Sequence, residues 1–396
     1  MDFTEVAQLD VVAANIGDVR DPYSEYAAQR RDHAVARAAH FGADVAMVYS
    51  FVEAEQVLGD SETFSSRING AWMRPFLGRT ILEMDGAEHH SHRRLISHAF
   101  RRKVIQQWED ELIRPTAHEL IDRFAGRGRA ELVREFAWEF PVRIIAKMVG
   151  VPQTDYSMWQ QKAIELERTA VDFPGAIAAS QELKAYFEPI VEERRREPRE
   201  DVISMLAETE VEGERLDDDL IQSFLRLLVP AGAGTTYRLI GTLLFALLQD
   251  SAQLEAVRED RSLVPAAVEE ALRWESPVQF AARQATRDTE LAGVDIPARL
   301  PVTVALGSAN HDESRWDEPE RFDVRREPHT HLAFADGEHF CLGAHLARIE
   351  GAVALNAVLD RLQDLRLDPD AAEPYEVGFA FRSPTAVPVI FEGARE

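Results

Sequence analysis

The 396-residue chain contains a single cysteine, Cys341. An intrachain disulfide is therefore excluded, as is any zinc or iron–sulfur centre that needs several thiolates. Basic residues are also scarce: 44 Lys and Arg stand against 69 Asp and Glu, a formal net charge of −25. That balance works against an extended phosphate-binding surface, which needs clustered cations to displace counterions, so nucleic acid is not an expected partner. Residues 1–22 place acids where a secretory signal would carry Lys or Arg, and they contain no apolar run long enough to span a bilayer. The expectation is a cytoplasmic protein without a membrane anchor. Ser/Gly/Pro-rich linkers, like-charge blocks, low-complexity tracts and repeats with periods of 20 to 50 residues are all lacking. A single domain over 1–396 is expected.

With 45% hydrophobic and 29% charged residues, a chain of this length can bury a large core. Apolar residues recur at helical spacing over 105–125, 156–170, 176–195, 218–249, 251–274 and 342–363. Shorter β-like stretches lie at 45–49, 290–296, 301–305 and 387–391, with Gly and Pro nearby. The implied fold class is mainly α, with small β-sheets beside a helical body. Segment 297–342 holds too many prolines for one long element and reads as irregular coil closing on a functional turn.

The turn is FADGEHFCLG, residues 334–343, which leads directly into a helix-patterned run. Cys341 thus sits just before a helix N-terminus, where unpaired N–H groups and the helix dipole favour thiolate over thiol. Both metal ligation and nucleophilic attack require that thiolate. Gly337 and Gly343 allow a tight turn and close approach of a flat ligand, and Phe334 can cover the sulfur. Against this, a lone cysteine is more often a buried small hydrophobe.

The spacing Phe334-x-x-Gly337-x-His339-x-Cys341-x-Gly343, followed by Leu346-Ala347-Arg348, resembles the haem-binding signature of the cytochromes P-450. Ala335 stands where that family usually has a second glycine. The resemblance extends elsewhere. Glu270 and Arg273 match the family's Glu-x-x-Arg, and Arg321 in Pro319-Glu320-Arg321-Phe322 matches its downstream arginine, implying a structural network behind the haem; alone, Glu and Arg at i,i+3 are commonly a solvated pair. His89 and Arg93, four residues apart, together with Arg283 and His339, match the usual partners of the haem propionates, carboxylates that need such partners when partly buried. Gly86 and Ala87 replace prolines common in the family. Helix-patterned 218–249 carries VPAGAGTT (229–236), whose glycines cost about 1 kcal/mol each in a helix interior and whose proline costs about 3. A helix that widens over a cofactor to expose a hydroxyl has a use for such a break. Thr235 matches the family's distal threonine, but Gly234 stands where Asp or Glu is usual.

The resemblance implies a prism-shaped helical fold, thiolate-ligated haem b on Cys341, and insertion of one oxygen atom from O2 into an organic substrate. Electrons are expected from a separate ferredoxin-type protein docking on the cysteine side, with Arg101, Arg102 and Lys103 as the candidate basic patch. Proton delivery is expected through Thr235, with ordered water beside Gly234 and Thr236 as a possible second hydroxyl. By analogy the substrate pocket draws on Trp72, Phe76, Leu77, Phe173, Leu228, Val278, Phe280, Phe379 and Phe381, which suits a small, largely apolar molecule. Arg67, Arg74 and Arg79 are alternative carboxylate anchors or exposed loop cations. A haem-thiolate sensor would need neither Thr235 nor a pocket, a peroxygenase usually replaces the threonine as well as the acid, and a cysteine hydrolase is the remote alternative.

Overall fold

A computed structural model describes residues 17–40, 42–97, 100–211 and 213–393. The helical body forms around a core that runs from Phe76 to Phe391 and includes Phe136, Phe140, Trp159, Phe187 and Tyr237. Most helix-patterned segments form helices, broken where the local chemistry requires it. The 251–274 stretch splits into Ser251–Glu259 and Val264–Trp274, because Asp260 caps a short turn through Ser262 N and Pro265 opens the next helix. The 105–125 stretch becomes Arg102–Trp108 and Arg114–Asp122 around a π turn, Glu109–Ile113. Helix Glu139–Val149 lies outside the segments that read as helical, although Glu139, Arg143 and Lys147 recur four residues apart on one face; in the fold every residue of it except Lys147 is buried.

The largest sheet has five strands, in the order Val35–His40, Ala43–Val48, Pro301–Ala305, Phe280–Ala285 and Phe64–Ser65. Pro301–Ala305 runs parallel to Ala43–Val48 and antiparallel to Phe280–Ala285, so Val302 faces Ala46 on one side and Arg283 on the other. Segment 290–296 is a hairpin, Thr289–Leu291 with Val294–Ile296, turned by Ala292 and Gly293 at φ 50° and 79°. Segment 387–391 lies in Pro388–Gly393, which pairs with Leu362–Leu367 and Arg129–Glu131.

The central helix places the site. It runs as Asp218–Val229, a π turn Pro230–Gly234, and Thr235–Gln249. Its second half packs against Val264–Trp274 and against Ala344–Arg361, the helix that follows the cysteine loop. By length and composition Asp218–Gln249 could cross a membrane, but 78% of its apolar window is buried inside the protein, as expected of a core helix.

Candidate active site

Cys341 lies two residues before Gly343, which caps helix Ala344–Arg361. The loop is held by Cys341 N donating to Phe334 O at 2.9 Å and Ala344 N donating to Cys341 O at 3.3 Å. Burial pushes the Cys341 thiol pKa up, while the Gly343 and Ala344 N–H groups and the charges of Arg93 and Arg348 oppose it. The residue nevertheless keeps an exposed side. Gly343 has an ordinary φ of −83°, and a Cβ there would meet nothing nearer than Cys341 Sγ, at 3.9 Å. Its lack of a side chain keeps the approach to sulfur clear. Gly337, by contrast, is required by the turn: φ is 69°, and a Cβ would press on the Leu58 carbonyl. Ala335 also adopts the left-handed region, at φ 57°. The departure from glycine is thus a backbone cost of roughly 1–2 kcal/mol rather than only an added methyl. Phe334 is buried beneath the Arg348 guanidinium, 4.6 Å from its ring centroid.

The four cationic candidates converge. His89 is fully buried, and its ring centroid lies 4.2 Å from that of His339. Neither His89 nitrogen, nor His339 Nε2, has a hydrogen-bond partner among the described residues. Burial, with Arg283 and His89 alongside, pushes His339 down to about 3, and burial pushes Arg283 down to about 10. Arg93 Nη2 donates to the Phe340 carbonyl in the cysteine loop. Buried polar atoms without partners are costly unless a ligand satisfies them. Two propionates would do so, and the clear approach to Sγ suits the iron of the same macrocycle, so these residues fit the haem that the resemblance implies. Sequence reasoning missed the acids set among them. Asp85 takes Ser66 N at 2.8 Å, and Glu338 lies 3.7 Å from His339 and from His90.

Behind the cysteine loop, Glu270 and Arg273 are both buried and joined by two bonds of 2.8 Å. Arg273 also donates to the carbonyls of Asn310, Pro319 and Arg321. The third member is not the Arg321 side chain, which is exposed and pairs with Glu318 at 3.4 Å. Arg326 takes that place, its Nε 3.0 Å from Glu270 Oε1. Arg321 contributes only its carbonyl, which binds both Arg273 and Arg326. The turn after Pro319 points the Arg321 side chain outward and brings residue 326 back, a geometry that short-range motif matching does not contain.

On the central helix, the glycine-rich break is a π turn that ends at Gly234, and Thr235 Oγ1 donates back to Ala231 O at 2.9 Å. Thr236 is buried beside it. The space beside Gly234 is not the water site expected from the sequence. A Cβ built there would overlap Glu167 Oε1 and lie 2.7 Å from Oε2. This carboxylate comes from the end of helix Tyr156–Glu167, and no residue near Gly234 in sequence announces it.

The pocket candidates fall into separate groups. Trp72, Phe76 and Phe173 form a chain of ring contacts at 6.2 and 6.0 Å, with Trp72 exposed at one end. Leu77 and Leu228 are buried in the main core. Val278 bridges to Phe381, whose ring lies 4.8 Å from the Arg238 guanidinium. Phe280 and Phe379 instead meet each other at 5.0 Å and both pack on His40. Strand alternation explains this: Phe280 and Arg283 are three residues apart in one strand and so face opposite ways.

Known proteins are similar to this chain in sequence and fold. The cytochrome P-450 family model matches residues 172–377. The chain is 37% identical over 320 residues to the biotin biosynthesis cytochrome P-450 of Bacillus subtilis, covering 79% of this chain and 80% of that one. It superposes on CYP109Q5 from Chondromyces apiculatus with a TM-score of 0.87 at 37% identity, over 99% and 98% of the two chains. Against CYP109E1 from Bacillus megaterium, solved with testosterone, the TM-score is 0.85 at 31% identity, over 94% and 99%. A relationship that spans nearly the whole length at these identities, together with a sulfur and basic cluster suited to haem, means that the chain belongs to the cytochrome P-450 family.

Proposed function

We propose that this monooxygenase inserts one oxygen atom from O2 into a small, largely apolar organic substrate, as a cytoplasmic, single-domain enzyme fed by a separate ferredoxin-type donor. The observation that carries the reading is the pairing of Cys341, with its approach kept clear by Gly343, and a cluster of His89, Arg93, Arg283 and His339 in which neither His89 nitrogen nor His339 Nε2 has a hydrogen-bond partner among the described residues. When bound, the haem supplies the iron at which dioxygen is activated. Cys341 Sγ is assigned as its ligand; burial works against the thiolate, and the Gly343 and Ala344 N–H groups with Arg93 and Arg348 work for it. His89, Arg93, Arg283 and His339 are assigned to the propionates. Thr235 Oγ1 is assigned to hold a proton at the widened turn. It now bonds to Ala231 O, and rotation about χ1 would free it.

Supporting an apolar substrate are the Trp72–Phe76–Phe173 chain and the Val278–Phe381 bridge, neither of which carries a charge. CYP109E1 holds a steroid, and this fits the same class. Supporting an external donor is a groove of about 760 Å3 lined by Arg102, Arg114, His345 and Arg348. Of the three cations expected there, Arg102 alone lines it, and Glu109 and Glu269 make its charge mixed.

The test is Cys341→Ser or Cys341→His. With no second cysteine to substitute, either change should abolish the red-shifted Soret band that thiolate ligation gives the reduced carbon monoxide complex. An unchanged spectrum would remove Cys341 from the iron.

A further inference from the structure

The residue before Thr235 has no side chain, yet a carboxylate stands where that side chain would be. The Glu167 side chain is only 7% exposed, and its Oε1 lies 2.0 Å from where a Gly234 Cβ would be. Its Oε2 accepts from Arg238 Nη1 at 2.8 Å, and the same nitrogen donates to Gly234 O at 2.7 Å. Arg238 is itself fully buried between the rings of Tyr237 and Phe381, 4.6 and 4.8 Å from their centroids. The acid is therefore fixed against the last residue of the π turn by an arginine one helical turn further on.

We infer that Glu167 is the proton-carrying carboxyl of the distal site, delivered in space from helix Tyr156–Glu167 because the central helix lacks an acid at 234. The inference rests on the monooxygenase reading above. The overall reaction, RH + O2 + 2 e− + 2 H+ → ROH + H2O, consumes protons on the Thr235 side. Glu167 takes a proton at Oε1 from the solvent side and passes it to a water between it and Thr235 Oγ1, one O–H bond breaking as another forms and the water releasing a proton of its own toward Thr235. The carboxylate then returns to its starting form, with no electron exchanged. Arg238 is a positioning residue: it aims the carboxylate at the turn and offsets the cost of burying it. Gly234 has a use of its own in this arrangement. Any side chain there would displace Glu167, so the missing acid at 234 and the intruding acid at 167 are one feature.

An alternative role for a buried ion pair is to tie two helices together, and the experiment separates the two. Three forms are compared with wild type: Glu167→Gln, the relocation Glu167→Ala with Gly234→Glu, and Gly234→Ala. The readouts are haem content, unfolding midpoint, the spectral shift on substrate binding, the solvent deuterium isotope effect on turnover, and product formed per NADH with peroxide assayed in parallel. Glu167→Gln keeps the shape and a hydrogen-bond acceptor for Arg238. It should retain haem, midpoint and substrate affinity, yet lose product per NADH to peroxide and slow turnover by about tenfold or more, as removal of a positioned proton carrier does. Its isotope effect should rise. Gly234→Ala should give the same partition by pushing Glu167 aside, and the relocation should restore coupling by returning the acid to the central helix. An unchanged product ratio in Glu167→Gln overturns the inference. So does a loss that tracks falling midpoint and haem content and that relocation fails to restore. Failure of the monooxygenase reading would show instead in wild type, as absence of the thiolate spectrum or of any substrate turnover.

Discussion

The network behind the haem shows how a single side chain can be mistaken for its neighbour. Buried Glu270 takes charge-assisted bonds from buried Arg273 and half-buried Arg326, and the N–H of Asp323 at 3.0 Å. Removing Glu270 or Arg273 leaves a buried charge without its nearest partner, which costs about 3–5 kcal/mol. Arg326→Ala leaves the Glu270–Arg273 pair in place, so it should lower the yield of folded, haem-loaded protein less than Glu270→Ala or Arg273→Ala but clearly more than Arg321→Ala. Arg321→Ala keeps the carbonyl that the network uses and loses only an exposed pair, so its effect should stay within about 0.5 kcal/mol. Haem content and thermal unfolding of the four variants check this; equal losses for Arg321→Ala and Arg326→Ala would refute the assignment. The motif made Glu270 and Arg273 legible because i,i+3 spacing on a helix is local. It left Arg326 hidden because which of several nearby arginines turns inward depends on the path of the chain after Pro319. Glu167 was hidden for the same reason: 67 residues separate it from Gly234.

At the scale of elements, the break in the central helix was readable from Pro230, Gly232 and Gly234, but its form was not. The two glycines serve different neighbours. A Cβ on Gly232 would lie 2.5 Å from Ile145 Cδ1 and 2.8 Å from Cγ1, so this glycine lets helix Glu139–Val149 approach the turn. Gly232→Ala gains about 1 kcal/mol of helix propensity but overpacks the contact, which costs typically 1–3 kcal/mol. The expected outcome is net destabilisation that Ile145→Ala, made in the same chain, partly reverses. Thermal unfolding of the single and double variants decides, and additive effects would mean that the two positions do not touch. The helix that makes this contact, Glu139–Val149, lies outside the segments that read as helical although Glu139, Arg143 and Lys147 recur four residues apart; folding buries Glu139 and Arg143, and Arg143 pairs with Glu119 and Glu139. Long helical patterns and short-range motifs could thus be read from the sequence, whereas partners far apart along the chain, such as Ile145 and Gly232, could not.

For the whole molecule, the governing quantity is charge. A chain of net charge −25 repels an acidic electron carrier at long range, so productive docking needs a local field of the opposite sign. The groove beside the cysteine-loop helix offers Arg102, Arg114 and Arg348, but these are not equally usable as probes. Arg348 lies over the Phe334 ring and pairs with Glu269 at 2.6 Å, so replacing it would disturb the packing of the cysteine loop along with the surface. Arg102 opens a surface helix and is exposed, which makes its charge the cleaner test. Arg102→Glu should raise the carrier concentration needed for half-maximal haem reduction several-fold while leaving the saturated rate nearly unchanged. The difference from wild type should shrink as salt is added, because exposed charges are screened beyond about 8 Å at physiological ionic strength. Arg215→Glu makes the same charge change on an exposed hairpin that does not line the groove, and so controls for net charge. Rapid-mixing reduction by a ferredoxin across a salt series gives the comparison. Equal responses of the two variants would mean that the carrier senses only total charge, and the groove would lose its assignment as the docking face.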